Sequence, residues 1–282
     1  MSARTSTPLP DDIDAVVRNA LREDVGAGDV TASLIPAARV SRARVLCREA
    51  AVLAGAPWFE RVFGQLDERV AVDWLVEEGS MVAPDTVVCR LQGPARALVT
   101  GERTALNFLQ TLSGTATATR RYVDALGTTR TRILDTRKTL PGLRSAQKYA
   151  VRAGGGVNHR MGLYDAILIK ENHIAAAGSI TAAVSALRAA HPGLRIEVEV
   201  ETRAELDEAL ANGVEMVLLD NFSLAELHAA TAHIAGRALV EISGGVELPA
   251  LAALGQAGAD FISIGALTKH VRAVDFSMRI DE

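Results

Sequence analysis

Cysteine is scarce: Cys47 and Cys89 are the two in 282 residues, far apart and without CxxC spacing. That excludes a disulfide framework and a thiolate metal cluster, and reads as two reduced, buried thiols of a cytosolic protein. No stretch approaches the ~18 consecutive apolar residues that a membrane helix needs. The opening residues, MSARTSTPLPDD, hold no apolar segment of the kind that directs export. The chain is therefore expected in the cytoplasm, away from membranes. Positive charge is short as well, with 30 Lys and Arg against 34 Asp and Glu and a net charge of −4. A general nucleic-acid binder, whose affinity rests on widespread basic residues, is excluded. GxSxG, GxGxxG, P-loop and zinc motifs are missing, and no nucleophile stands beside a base. Small molecules are the expected partners.

What is present is a large apolar fraction, 49%, enough to fill one large α/β domain or a barrel with a smaller companion. One stretch departs from the rest. Asp135–His173 carries seven basic residues (Arg137, Lys138, Arg144, Lys148, Arg152, Arg160, Lys170) against three acids, a net +4 inside an acidic chain. Interrupted by Gly154, Gly155 and Gly156 and by Pro141, it suits a concave site for a small polyanion better than a solvated helix face.

Before this island, residues up to about Pro10 read as a disordered tail, and Asp11 or Asp12 caps a helix to about Glu23. ARVLCREAAVLAG, VAVDWLVEEGS and TVVCRLQG read as strands of a small sheet, with the helix APWFERVFGQL between the first two. RALVTGERTALNFLQTLSG reads as a connector helix ending at Ser113-Gly114, followed by a second helix, ATATRRYVDAL. Beyond Thr131 short apolar runs (RILDT, AILIK, IEVEVE, EMVLLD, ALVEIS, FISIG) alternate with Ala- and Leu-rich helical stretches. TAAVSALRAA, RAELDEALANG, SLAELHAATAHIAG and PALAALGQAG are the helices of this βα repeat. Such a repeat makes either a doubly wound sheet or a barrel, and polar residues closing nearly every strand favour the barrel.

Those strand endings carry the candidate site. RILDT leads into Asp135, Arg137 and Lys138; AILIK ends in Lys170; IEVEVE carries Glu197, Glu199 and Glu201 on one face; EMVLLD ends in Asp220. An inward carboxylate needs a cationic or metal partner, and Lys138 and Lys170 are the candidates. Glu199 and Asp220 could hold a divalent cation. Ser243, Gly244 and Gly245, with Gly265, follow the last two strands, where barrels commonly bind phosphate through backbone N–H groups. The alternatives are an internal ion-pair network for the glutamates and a tight turn for the glycines.

The ordered run DTRKTLPGLRSAQKYAVRAGGGVNHRMGLYDAILIKENH, together with ERTALNFLQTLSGTAT, EVEVE, LLDNF, SGG and IGALT, closely resembles the quinolinate phosphoribosyltransferase family across roughly Ala43 to Ile280. The resemblance implies an incomplete, seven-stranded α/β barrel with an N-terminal α/β sandwich domain. It sets these at residues 113–269 and 1–112, with 270–282 rejoining the first. It implies transfer of phosphoribosyl from phosphoribosyl pyrophosphate to quinolinate with decarboxylation, giving nicotinate mononucleotide, CO2 and pyrophosphate in NAD biosynthesis. Mg2+ would be required. The enzyme would be a homodimer with shared active sites, or a higher oligomer. Carried over by position, Arg137, His159 and Arg160 grip the two carboxylates, aided by Arg103 from the partner subunit, and Thr136 belongs to the substrate-binding set. Lys138 and Lys170 hold pyrophosphate oxygens, and Glu199 and Asp220 serve the ribose and its magnesium. Ser243, Gly244, Gly245, Ile264, Gly265 and Ala266 bind the 5′-phosphate.

The resemblance has one departure. GALTKH stands where related sequences often read GALTHS, so Lys269 and His270 are left without roles. The rivals are nicotinate phosphoribosyltransferase, which takes a single-carboxylate acceptor, a paralogue associated with molybdenum transport, and a non-catalytic phosphate-binding barrel.

Overall fold

The structure is a computed structural model that describes residues 8–281. The expected disordered tail falls chiefly on residues outside that range. In chain order the elements are α1 (Ile13–Val25), β1 (Val40–Cys47), β2 (Ala51–Val52), α2 (Ala56–Leu66), β3 (Ala71–Trp74), β4 (Met81–Val82), β5 (Thr86–Pro94) and α3 (Ala95–Leu126). Then come β6 (Arg132–Leu134), α4 (Arg144–Ala153), β7 (Ile167–Ile169), α5 (Glu171–Ala177), α6 (Ile180–Ala190), β8 (Ile196–Val200) and α7 (Arg203–Ala211). The chain finishes with β9 (Met216–Asp220), α8 (Leu224–Ile234), β10 (Leu239–Ser243), α9 (Leu251–Leu254), β11 (Phe261–Ser263), α10 (Ala266–Lys269) and β12 (Phe276–Asp281). Two compact units result. The first takes in the chain up to Arg120, Lys138–Gly155 and the chain from Ala266; the second is Arg121–Arg137 with Gly156–Gly265.

In the first unit an antiparallel sheet runs in the order β12-β1-β5-β3. Ala43, Val45 and Cys47 alternate inward along β1, as period two demands, and all three are buried. Helix α2 lays Trp58, Phe59, Val62 and Phe63 on that core, the three- and four-residue spacing that a single buried stripe requires. The Phe59 ring meets Phe63 edge-on at 5.1 Å and Trp74 at 5.4 Å. Both cysteines are free and buried, and burial raises both thiol pKa values.

The expected break at Ser113-Gly114 is absent: α3 is one helix of 32 residues. Gly114 marks a close approach instead, because a Cβ there would run into the carbonyl oxygen of Arg272. We expect Gly114→Ala to cost roughly 1–3 kcal/mol through overpacking against backbone, seen as a lower urea midpoint for the first unit.

The basic island is also less open than its composition suggests. Residues 144–153 form α4, whose Ala146, Gln147, Lys148, Tyr149, Ala150, Val151 and Ala153 are buried in the first unit. Gln147 ties this helix into place, accepting the Leu140 N–H at 2.8 Å and donating to the Thr268 carbonyl at 3.0 Å.

In the second unit six strands lie parallel in the order β6-β11-β10-β9-β8-β7, and a single parallel bridge from Val157 to Leu134 adds a seventh position beside β6. The sheet is an incomplete barrel. Val198 and Val200 face its helix side and are buried. Ser179, Thr202 and Ser223 cap α6, α7 and α8 by accepting N–H groups of the first turn, which fixes where each returning helix starts. The expected helix PALAALGQAG shrinks to a 3-10 turn at Leu248–Ala250 and the four residues of α9. Pro249 contributes no N–H there, and the helix stops at Gly255, where a Cβ would press on Leu126. Among the described residues no helix is long and apolar enough to cross a membrane.

Candidate active site

Because the strands of the second unit are parallel, their carboxyl ends share one edge of the sheet. Ser243 is level with Asp220 across β10 and β9, Val200 with Leu219, and Ile169 with Val198. Lys170, Glu199, Asp220 and Ser243 therefore sit on four adjacent strands. Arg137 follows β6 through Asp135 and Thr136, and Ile264 and Gly265 follow β11, which pairs with β6. Arg103, exposed on α3, belongs to the first unit, as do Lys138 and Ala266.

Lys170 Nζ bonds Glu199 Oε2 directly. Burial raises the Glu199 pKa, the Lys170 bond lowers it, and the charge of Asp220 raises it again. Two neighbouring acids that repel each other beside one lysine make a donor set suited to a hard divalent cation, which favours a few carboxylates with water completing its shell. Asp220 is held from the side by Asn221, whose amide donates to Asp220 Oδ2 at 2.8 Å. Asn221 itself has φ 59° and its N–H donates to the Ser243 carbonyl. Gly244 lies against the Asn221 side chain with φ 100°, so a Cβ there would both strain the backbone and collide. Gly245 follows at φ 52° in the same exposed loop.

Arg137 and Arg160 form the second feature. Burial lowers the Arg160 pKa, and the nearby Arg137 charge lowers it further. Arg137 Nε is buried with no hydrogen-bond partner among the described residues. Arg160 spends one N–H on the Ala166 carbonyl at 3.3 Å. Two like charges held together with an orphaned donor want an anion between them. A planar carboxylate matches a guanidinium fork better than it matches an ammonium.

His159 lies between these groups and the sheet interior. Its backbone N–H donates to Asp135 Oδ1 at 2.9 Å, and Asp135, fully buried, also receives the Asn158 amide. The His159 Nδ1 accepts the Arg160 N–H at 2.8 Å, while Nε2 stands 2.7 Å from Glu197 Oε2 and 3.4 Å from Glu241 Oε2. The partners expected for Glu197 were Lys138 and Lys170; the structure pairs it with His159 and Glu241. Glu201, expected inward, is exposed past the end of β8. Burial, and then the Glu197 charge, pushes the Glu241 pKa up; burial likewise raises that of Glu197.

Two residues of this site had been passed over. Glu241 had a signal, since it shares a strand face with Ser243 inside an otherwise apolar run. Asn221 had only its place after a strand end.

Two family models match this chain in sequence: quinolinate phosphoribosyl transferase, N-terminal domain, over residues 29–113, and its C-terminal domain over residues 115–279. The carboxylating nicotinate-nucleotide pyrophosphorylase of Mycobacterium leprae is 44% identical, covering 93% of this chain and 95% of that protein. A probable carboxylating nicotinate-nucleotide pyrophosphorylase of Bacillus subtilis is 43% identical over 92% of this chain and 90% of its own. The solved nicotinate-nucleotide pyrophosphorylase of Francisella tularensis superposes with a TM-score of 0.93 at 42% identity, covering 98% of both chains.

Proposed function

The chain belongs to the quinolinate phosphoribosyltransferase family, and we infer from that premise that it joins quinolinate to phosphoribosyl pyrophosphate, releasing CO2 and pyrophosphate and yielding nicotinate mononucleotide for NAD biosynthesis. The observation that carries the residue assignment is the pair Arg137 and Arg160, like charges side by side with a buried, unmatched N–H. One guanidinium faces each carboxylate of the diacid. Thr136 and His159 flank them, His159 acting by orientation because both ring nitrogens are already engaged.

The reaction follows from charge placement. The quinolinate nitrogen attacks C1 of the ribose, and the bond to pyrophosphate breaks with its electrons leaving on oxygen. Lys138 and Lys170 neutralise that departing charge, while Glu199 steadies the positive charge at C1. Glu199 and Asp220 are the residues that would hold Mg2+, which when bound supplies further neutralisation of the pyrophosphate. Once the ring nitrogen is ribosylated, the pyridinium accepts the electrons of the C2 carboxylate bond as CO2 leaves, and C2 then takes a proton. The protein orients that carboxylate and keeps water from it. Ser243, Gly244, Gly245, Ile264, Gly265 and Ala266 take the 5′-phosphate through backbone N–H groups.

Arg103 is exposed on α3 and serves the site of a second copy in a cytoplasmic homodimer. A mixed dimer of Arg103→Ala and Lys138→Ala subunits is then expected to regain one intact site, whereas each variant alone stays inactive; a mixture as inactive as its parents argues against sharing. The function itself is tested by incubating the protein with phosphoribosyl pyrophosphate, Mg2+ and either quinolinate or nicotinate while following CO2 and mononucleotide. Product from quinolinate with matching CO2 is expected. Product from nicotinate alone, or none from either, sinks the assignment.

A further inference from the structure

Residues 138–140 and α10 both belong to the first unit, and three hydrogen bonds close a ring between them. Thr268 Oγ1 donates to the Lys138 carbonyl at 2.8 Å, across 130 positions of sequence. The Leu140 N–H donates to Gln147 Oε1 at 2.8 Å, and Gln147 Nε2 donates to the Thr268 carbonyl at 3.0 Å. One residue of α10 therefore grips the 138–140 segment twice, directly and through α4. Thr115 of α3 accepts a further N–H of Gln147 at 3.4 Å, which fastens the ring to the long helix as well.

Thr268, Gln147 and Thr115 are all 0% exposed. A buried amide or hydroxyl destabilises a core unless its hydrogen bonds are made, a demand that an apolar side chain of the same size does not impose. Here the bonds are made. A backbone N–H can only donate, which sets the Gln147 amide with its oxygen toward Leu140 and its nitrogen toward Thr268. What the ring adds over apolar packing is direction, because it fixes the 138–140 backbone against α10. At its two sides stand the exposed Lys138 and Ala266, the residue that opens α10.

We propose that Thr268, with Gln147, is a positioning residue for phosphoribosyl pyrophosphate: the ring holds Lys138 at a set distance from Ala266, so that the pyrophosphate and the 5′-phosphate of one molecule are met together. The proposal rests on the assignment of Lys138 to pyrophosphate and of Ala266 to the 5′-phosphate. Thr268 and Gln147 are enclosed and act through those two residues. Preorganisation of this kind matters only to a ligand that reaches both places. A ligand with one end settles on whichever segment it binds and loses nothing when the two segments shift apart.

The test compares the full-length parent protein with Thr268→Val, which keeps the branched shape without the hydroxyl, and Thr268→Ser, which keeps the hydroxyl. Isothermal titration in Mg2+ with phosphoribosyl pyrophosphate, and separately with ribose 5-phosphate and with inorganic pyrophosphate, reads the two-ended ligand and each end alone. Thr268→Val is expected to bind phosphoribosyl pyrophosphate roughly tenfold more weakly, the equivalent of about 1.4 kcal/mol, and to raise its KM by the same factor. Its affinities for ribose 5-phosphate and for pyrophosphate should stay within about twofold of the parent values, and its KM for quinolinate should not move. Thr268→Ser is expected to restore the affinity for phosphoribosyl pyrophosphate. Gln147→Met, close in length but without donor or acceptor, is expected to match Thr268→Val and takes its place where that variant does not fold. Thr268→Val with the parent affinity for phosphoribosyl pyrophosphate overturns the proposal, as does equal weakening of all three ligands, which marks a general loss of structure. A Thr268→Ser variant that stays weak overturns it equally. Failure of the parent protein to bind phosphoribosyl pyrophosphate overturns the functional reading instead, and shows before any variant is made.

Discussion

Arg137→Ala is expected to lower kcat/KM for quinolinate by roughly 10³-fold, the equivalent of about 4 kcal/mol. The size follows from what is removed. The Nε of this arginine is buried without a hydrogen-bond partner among the described residues, a desolvated donor that an incoming anion can satisfy. Truncation loses a charge-assisted bond pair and also relieves the pressure that Arg137 exerts on Arg160, raising the Arg160 pKa toward its ordinary value. Loss should therefore appear mainly in KM. Arg137→Lys keeps the charge but loses the planar fork and is expected to recover only part of the deficit. Steady-state kinetics with quinolinate varied at saturating phosphoribosyl pyrophosphate measure both.

The second large effect falls on the other side of the site. Lys170→Ala is expected to lower kcat by roughly 10²-fold or more, because the departing pyrophosphate loses a fixed positive charge. A separate signature comes from Glu199. Its pKa is raised by burial and by Asp220, and the bond from Lys170 is what opposes that rise. Without Lys170 the Glu199 pKa climbs further. Since the ionised carboxylate is the useful form, the acid limb of the pH profile should move to higher pH. A profile that keeps its acid limb in place would mean that Glu199 is not the group being titrated. Removing Mg2+ with a chelator should abolish turnover in parent and variant alike, a check that the reaction needs a divalent cation.

Sequence pattern carries information where only one face of an element can be buried. Helix α2 was legible to the residue because Trp58, Phe59, Val62 and Phe63 leave a single apolar stripe and Pro57 suits its first turn. The alternation of β8 was legible too, since Val198 and Val200 had to face helices. Gly114 misled, because the same residue type permits a break and a close approach, and only the position of the Arg272 carbonyl distinguishes them. The basic island misled in part: charge counting treats Lys148 and Arg160 alike, yet Lys148 is 1% exposed on a buried helix. The partner of Glu197 was beyond reach for another reason. His159 and Glu241 lie 38 and 44 positions away in sequence. They meet Glu197 only because the sheet brings β8, β10 and the segment after α4, bridged to β6 at Val157, around one interior. Period two shows which way a side chain points and leaves open what it meets.

The central claim is that the Arg137–Arg160 pair reads both carboxylates of the acceptor, with Arg160 taking the second. Isothermal titration of the parent protein with quinolinate and with nicotinate, followed by the same pair of titrations on Arg160→Ala, tests it without any turnover. Quinolinate is expected to bind roughly 100-fold more tightly than nicotinate, a gap of about 2.7 kcal/mol, and Arg160→Ala is expected to close most of that gap by weakening quinolinate alone. Equal affinity of the parent protein for the two acids, or a gap that Arg160→Ala leaves unchanged, would contradict it.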